Sequence, residues 1–179
     1  MSLKELTYEE HKFAETRPFV KILFKGDIDP QLYATYLYNQ FPMYEILEVC
    51  TMPHGILNDV PGILRSKAIR TDFEELWKGE VAPALCPVVK DYTKYIISIK
   101  DDVRKLMSHI YVRHMGDLAG GQMIAKRIPG SGKYYQFENV DDLKTKIRAK
   151  VDDSMADEAK LCFGYAARFF EEMMQYVKQ

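Results

Sequence analysis

Cysteine is scarce: Cys50, Cys86 and Cys162 are the only three in 179 residues. Odd in number and far apart, they exclude a disulfide framework and a CxxC metal site, and read instead as small hydrophobes in helices. An excess of charge of one sign is also missing. Twenty-five Lys and Arg against 26 Asp and Glu leave a formal net charge of −1 with the four His neutral, so the basic excess of a dedicated nucleic-acid binder is lacking. No apolar run of about 18 residues is long enough to span a membrane. The opening MSLKELTYEEH has neither the basic start nor the apolar stretch of a signal peptide, and the expectation is a cytoplasmic, reducing compartment. Several catalytic motifs are absent too: HExxH, the P-loop and GxSxG do not occur. The residues three before His11, His54, His109 and His114 are Tyr8, Thr51, Leu106 and Tyr111, which excludes the Glu-x-x-His of a di-iron bundle.

Apolar residues are plentiful: 47% of the chain is hydrophobic and 12% aromatic, enough for one domain to bury a core without disulfides or structural metal. Pro and Gly divide the chain into about seven segments, most with apolar residues at helical spacing. Ser2 and Glu5 form a capping-box pattern that opens a helix through about Ala14. Pro18 starts a short helix that Gly26 stops, and Asp29-Pro30 starts a third running to about Cys50, with a kink expected at Pro42. A loop over 52–62 precedes a helix from about Ile63 to Lys78, and apolar spacing resumes after Pro87 through Ile99. Asp101 or Asp102 is expected to cap a long segment to Arg127, Tyr134 to Phe137 to form a short extended piece, and Asp141 or Asp142 to cap a helix to about Val151. A last helix is expected from about Met155 to Val177. The class this predicts is an all-α single domain over residues 1–179.

Two features exceed what a plain bundle needs. Gly116-Asp117-Leu118-Ala119-Gly120-Gly121 lies inside a helical segment, where each glycine costs about 1 kcal/mol relative to Ala. Gly116 and Gly120, four apart, share a face with Gly121 beside them. A strip without Cβ atoms admits either a large planar ligand or a tightly packed helix. Asp117, if buried beside it, needs a water or a cation as partner. The second feature is His11, with Glu15 one turn on. That carboxylate can hold one imidazole nitrogen and leave the other free for a metal, or be an ordinary surface ion pair.

The stretch Tyr111-Val112-Arg113-His114-Met115-Gly116-Asp117-Leu118-Ala119-Gly120-Gly121-Gln122 resembles the distal-helix signature of haem oxygenases. Leu3-Lys4-Glu5 with His11 and Ala14-Glu15 is similar to the proximal helix of that family. Lys25-Gly26, Tyr44 to Glu48, Tyr134 to Phe137 and Lys144 to Lys150 follow in the family's order. The chain departs from the family at Ala119, where Ser is usual, at His114, where Tyr is frequent, and at Ala166, which replaces an Asn.

The resemblance implies a helical bundle with haem between the proximal and distal helices. It implies His11 as axial iron ligand with Glu15 orienting it, and Gly116, Gly120, Gly121 and Tyr111 against the haem. Lys4, Lys144 and Arg148 would hold the propionates, Lys4 about 10 Å along the helix from His11. Asp117 would hold a proton-donating water beside iron-bound dioxygen, with Tyr44, Arg113 and Gly116 completing the catalytic group. The implied reaction opens haem to biliverdin, releasing carbon monoxide and ferrous iron, with dioxygen as co-substrate. Electrons would come from a separate protein, an acidic ferredoxin docking on Lys126, Arg127, Lys133, Lys144, Lys146 and Lys150. A monomer without a membrane or nucleic-acid partner is expected. The alternatives are a haem carrier or sensor on the same scaffold, or a relative acting on another small molecule.

Overall fold

The opening helix is set by a reciprocal cap. The Glu5 amide donates to Ser2 Oγ at 3.2 Å, and the Ser2 amide donates to Glu5 Oε2 at 3.3 Å. The computed structural model describes residues 1–178, and among them it contains helices and no strand. The helices are α1 (Leu3–Leu6), α2 (Tyr8–Glu15), α3 (Pro18–Lys25), α4 (Pro30–Thr51), α5 (Ser66–Leu76), α6 (Pro87–Ser98), α7 (Val103–Leu118), α8 (Gly121–Ile124), α9 (Val140–Arg148) and α10 (Ala156–Met173). Instead of one helix to Ala14, the chain breaks at Thr7, whose φ of −106° and ψ of 8° leave the helical region. Thr7 Oγ1 meanwhile donates to the Leu3 carbonyl at 2.9 Å. The estimate of the Lys4 to His11 spacing therefore loses its premise of an unbroken helix.

Punctuation by Pro and Gly elsewhere acts as its chemistry requires. Pro18 and Pro30 sit in first turns, where no backbone donor is lost, and Gly26 closes α3 with φ of +92°. Asp29 caps α4 by accepting the Gln31 and Leu32 amides, both at 3.0 Å. Helix α4 runs unbroken through Pro42. It is buried around much of its circumference, with Tyr33, Tyr36, Leu37, Met43, Tyr44 and Leu47 in the core, as a central helix must be. Helices α5, α6 and α7 pack against it, while α10 forms the second support and carries α2, α3, α6 and α7.

Three expected elements differ, the first two where distant side chains hold the backbone. The long segment to Arg127 ends at Leu118: Ala119 turns out of the helix with φ of −102° and ψ of −93°. Gln122 clamps the bend, its Nε2 donating to the carbonyls of Asp117 at 3.1 Å and Tyr135 at 3.0 Å. The stretch around Tyr134 is a 3-10 turn over Lys133–Tyr135 and not an extended piece. Helix α9 is capped by Asn139 in the left-handed region, with Asp141 and Asp142 in its first turn, where they meet the positive end of the helix dipole.

Two buried side chains hold the tyrosine turn. Asp72 accepts the amides of Lys133 at 3.0 Å and Tyr134 at 2.8 Å. Arg65 donates from Nη1 to the carbonyls of Tyr134 at 3.0 Å and Gln136 at 2.7 Å, from Nη2 to Gly62 at 2.8 Å and from Nε to Leu64 at 2.9 Å. Its guanidinium also lies 3.9 Å from the Phe137 ring centroid. Charge-assisted bonds to buried carbonyls are among the stronger single interactions available. Arg65→Met should therefore destabilise the fold by on the order of 3 kcal/mol. It should also raise amide hydrogen exchange at Lys133 and Tyr134 more than in α4, and unchanged protection at those two amides would show that the turn is held by something else.

Candidate functional site

Helix α7 presents two unlike faces at 116–120. The inner face carries Asp117, buried, with one carboxylate oxygen accepting from Tyr44 Oη at 2.7 Å and the other from Tyr134 Oη at 3.1 Å. The two phenols lie 2.9 Å apart. Tyr44 arrives from α4 and Tyr134 from the turn that Arg65 and Asp72 fix. Burial pushes the Asp117 carboxyl up to about 6. The charge of His114, the two phenol bonds and the charge of Arg65 work against that rise. Burial likewise raises Tyr44 and Tyr134 well above the usual phenol range, keeping both neutral donors at physiological pH.

The outer face is bare. A Cβ built on Gly116 would meet nothing within 4 Å, and one on Gly120 would reach only the Gly116 carbonyl at 4.0 Å. These two glycines thus face open space, which fits a planar ligand and excludes close helix packing as their reason. Gly121, expected on the same strip, is buried. Its Cβ would come within 2.9 Å of Tyr135 Cδ1 and 3.0 Å of Cε1. It is a packing glycine for the stacked Tyr134–Tyr135 pair, whose centroids are 4.1 Å apart. That Cβ would also lie 3.4 Å from the Gly116 carbonyl, so Gly121 sits between Gly116 and the Tyr135 ring.

His11 and Glu15 lie on the exposed side of α2, with Nε2 3.4 Å from Glu15 Oε2. The imidazole stacks on Phe163 of α10 at 5.0 Å between centroids and 18° between planes. One residue back, Cys162 faces α7 and contacts His109. Helices α2 and α7 therefore share α10 as a wall, while packing between the two is slight. An exposed imidazole and a bare helical strip flank that shared wall, the minimum for gripping a flat macrocycle from both sides. A groove of about 350 Å³ between α2 and α10, lined by Glu9, Glu10, Phe13, Lys160, Phe163 and Gly164, shares only Phe163 with this arrangement.

The remaining expected residues divide. Tyr44 joins Asp117 directly. The Arg113 guanidinium turns away, donating from Nε to Tyr92 Oη at 2.9 Å and lying over the Tyr92 ring at 4.2 Å. Its link to Asp117 runs through its backbone carbonyl, 3.4 Å from Tyr44 Oη. Tyr111 is half-buried and lies within the field of Arg148, which joins α7 to α9. Lys4, Lys144 and Arg148 form no ion pair among the described residues, whereas Lys146 pairs with Asp142 at 3.0 Å and Lys150 with Asp59 at 2.8 Å. Arg127 donates to the Phe24 carbonyl at 2.8 Å. Sequence reasoning gave Tyr134, Gln122 and Phe163 no role. Tyr134 stood in a recognisable aromatic piece, but nothing local paired it with Asp117.

Fold and site together define a helical bundle in which an imidazole-bearing helix and a glycine-bared one pack against the same third helix. The chain belongs to the haem oxygenase family: the family model described as "Heme oxygenase" matches residues 1–173. It is 31% identical over 206 residues to Heme oxygenase 2 of Macaca fascicularis, covering 97% of this chain and 64% of that protein. It is 28% identical over 210 residues to Heme oxygenase of Guillardia theta, covering 99% and 87%. The chain thus spans just under two thirds of the macaque relative's length. Among solved structures, Leptospira interrogans haem oxygenase superposes with a TM-score of 0.80 at 29% identity, covering 96% of this chain and all of that one. Haem oxygenase-1 of Synechocystis in complex with haem reaches 0.84 at 22% identity, covering 97% and 91%, a likeness of fold.

Two outcomes follow from the geometry. Gly121→Ala should destabilise the protein by about 1–3 kcal/mol, because Tyr135 cannot recede without disturbing the stack. Gly116→Ala should leave stability unchanged or raise it by up to about 1 kcal/mol. Chemical denaturation of the two variants separates them, and equal effects would overturn the assignment of two faces. Asp117 titrates near 6 when folded and near 3.9 when unfolded. Its contribution to stability is thus favourable below about pH 4 and is lost as pH rises through about 6. Asp117→Asn should gain on the parent by on the order of 2 kcal/mol between pH 4 and pH 7.5. A stability difference that does not vary with pH would contradict the raised carboxyl.

Proposed function

We propose that this chain oxidatively cleaves haem to biliverdin, carbon monoxide and ferrous iron, using dioxygen and electrons from a separate donor protein. The observation that carries this reading is the pairing on α7 of a bare glycine face with a buried, protonatable carboxyl behind it. When bound, haem supplies the iron that takes up dioxygen and the ring that is oxidised. The chain's own residues bind, orient and handle protons. His11, with Glu15 beside it, would hold the haem iron: it is an accessible imidazole whose carboxylate neighbour can set its tautomer. Gly116 and Gly120 let the macrocycle approach the α7 backbone. Lys4, Lys144 and Arg148, which form no ion pair among the described residues, would be available to bind the propionates and set the rotation of the ring in its pocket.

Burial raises the Asp117 carboxyl to about 6, within reach of protonation just below neutrality, and Tyr44 and Tyr134 fix its orientation behind the glycine face. Each carboxylate oxygen keeps a lone pair beyond its phenol bond, enough to hold a water in the pocket. Arg113 supports this group at one remove, bracing Tyr92 and offering its carbonyl to Tyr44.

Residues 1–179 are read as one haem oxygenase-like domain, since the family match covers 1–173 and the core is continuous. The reading extends to a monomer in the cytoplasm that receives electrons from a ferredoxin. Lys126, Lys133 and Lys144, which carry no intramolecular ion pair among the described residues, make the basic surface for such a donor. No helix among the described residues is long and apolar enough to cross a membrane.

Haem reconstitution followed by reduced ferredoxin in air tests the reading. Decay of the Soret band with growth of biliverdin absorbance is the expected result. A persistent haem spectrum would assign a carrier or sensor, and no haem uptake would overturn both. His11→Ala should abolish the histidine-ligated spectrum, and an unaltered spectrum would remove His11 as ligand. Rising salt should slow ferredoxin-driven turnover but leave turnover with a small neutral reductant unchanged.

A further inference from the structure

The reading above uses Tyr44 and Tyr134 to hold Asp117, and it leaves a buried carboxylate that adjoins both of them without a role. Glu48 lies on α4 one turn after Tyr44 and is only 2% exposed. Three donors converge on it from the start of α5 and from α7. The Arg65 amide and His114 Nε2 meet Oε2 at 2.7 and 2.8 Å, and the Ser66 amide meets Oε1 at 3.1 Å. Both oxygens therefore act as acceptors, as an ionised carboxylate provides. His114 Nδ1, on the other side of the ring, is buried and has no hydrogen-bond partner. A hydrogen there would be an interior donor without an acceptor, so the ring is neutral and gives its one N–H, on Nε2, to Glu48.

We propose that Glu48 is a positioning residue for Asp117, fixing both of its phenols at once: Tyr134 through Arg65, and Tyr44 through His114. On the first path the carboxylate holds the Arg65 backbone, and the guanidinium of the same residue donates to the carbonyls of Tyr134 at 3.0 Å and Gln136 at 2.7 Å. Arg65 thus takes its place from Glu48 and gives Tyr134 its own. On the second path the bond to Nε2 sets the orientation of the His114 ring, whose centroid lies 5.1 Å from that of Tyr44. His114 stands one turn before Asp117 on α7, so the ring packs between α4 and α7 where Tyr44 crosses to the carboxyl. Two routes made of hydrogen bonds and ring contact therefore end on the two phenols that Asp117 accepts from. Exchange of either Glu48 oxygen for an amide nitrogen would set a donor against a backbone N–H, so the three bonds cannot all be kept. Asp72 also holds the amides of Lys133 and Tyr134. Loss of Glu48 is thus expected to shift the phenols and loosen the turn, not to melt it.

The importance of Glu48 for haem cleavage rests on the distal role assigned to Asp117, but the link to the phenols is testable in the haem-free full chain. Tyrosine labelled with carbon-13 at Cζ reports phenol hydrogen bonding by NMR, and Tyr44→Phe and Tyr134→Phe assign the two signals. In Glu48→Gln both signals should move, while that of Tyr92, held by Arg113 and His109, stays in place. Amide exchange at Tyr134 should rise at least about tenfold, the factor for one lost charge-assisted bond. Loss of protection at Arg65 and Ser66 with the Tyr44 and Tyr134 signals unmoved would make Glu48 a helix cap alone and overturn the proposal. Should Glu48→Gln not fold, His114→Leu withdraws one donor and leaves Glu48 its two amides. Tyr134 amide exchange should then rise, and His114→Gln, whose side-chain amide can donate to Glu48, should restore it. An unchanged Tyr134 amide in His114→Leu would equally overturn the proposal. Either negative result would leave haem cleavage standing, and failure of haem cleavage would leave a measured link standing.

Discussion

A carboxyl group out of water, saturated by two phenols, is the constraint around which this molecule is arranged. Asp117 could not be sequestered without those donors, since an unpaired interior carboxylate would be far too unfavourable. Its partners come from distant parts of the chain: Tyr44 from the long central helix and Tyr134 from a turn 17 residues beyond it in sequence. Each is itself pinned. Tyr44 is fixed by the packing of α4, and Tyr134 by the Asp72 carboxylate and the Arg65 guanidinium. The tyrosine turn is thereby part of the support of the Asp117 carboxyl, although none of its backbone lies in a regular α-helix.

The same helix separates two jobs by facing two ways. Behind Gly116 and Gly120 lies a polar interior that holds the Asp117 carboxyl; in front of them lies free space. Beyond the bend at Ala119, Gly121 belongs to the Tyr134–Tyr135 stack and not to the open strip. One run of glycines therefore has two surroundings, open space at Gly116 and Gly120 and an aromatic ring against the backbone at Gly121. Helix α10 completes the arrangement by carrying Phe163 toward His11 and Cys162 toward α7 from adjacent positions.

Much of this was readable in the residues. The Ser2–Glu5 cap, the Pro18 and Pro30 starts and the Gly26 stop are local devices whose effect depends on neighbours within four positions, and all appear where expected. The pairing of Asp117 with Tyr44 was anticipated through the family likeness. The readings that failed are those in which a distant side chain decides the backbone. Gln122 and Tyr135 determine where α7 ends; Asp72 and Arg65 turn an apparently extended aromatic piece into a 3-10 turn; and the Thr7 break cancels a spacing that assumed a continuous helix. Arg113, expected in the network of Asp117 and Tyr44, meets Tyr44 through its carbonyl at 3.4 Å and lies over that ring at 5.7 Å, while its Nε donates to Tyr92.

The sequence by itself determined that the chain is helical, where most helices start, and that a glycine-rich stretch interrupts the seventh of them. These properties follow from backbone restriction, capping and periodicity, all of which act over a few residues. Only the tertiary structure decided which glycines are bare, which phenols hold Asp117 and that His114 is sealed against Glu48. Those outcomes depend on burial and on donors from far along the chain, and an unfolded segment has neither.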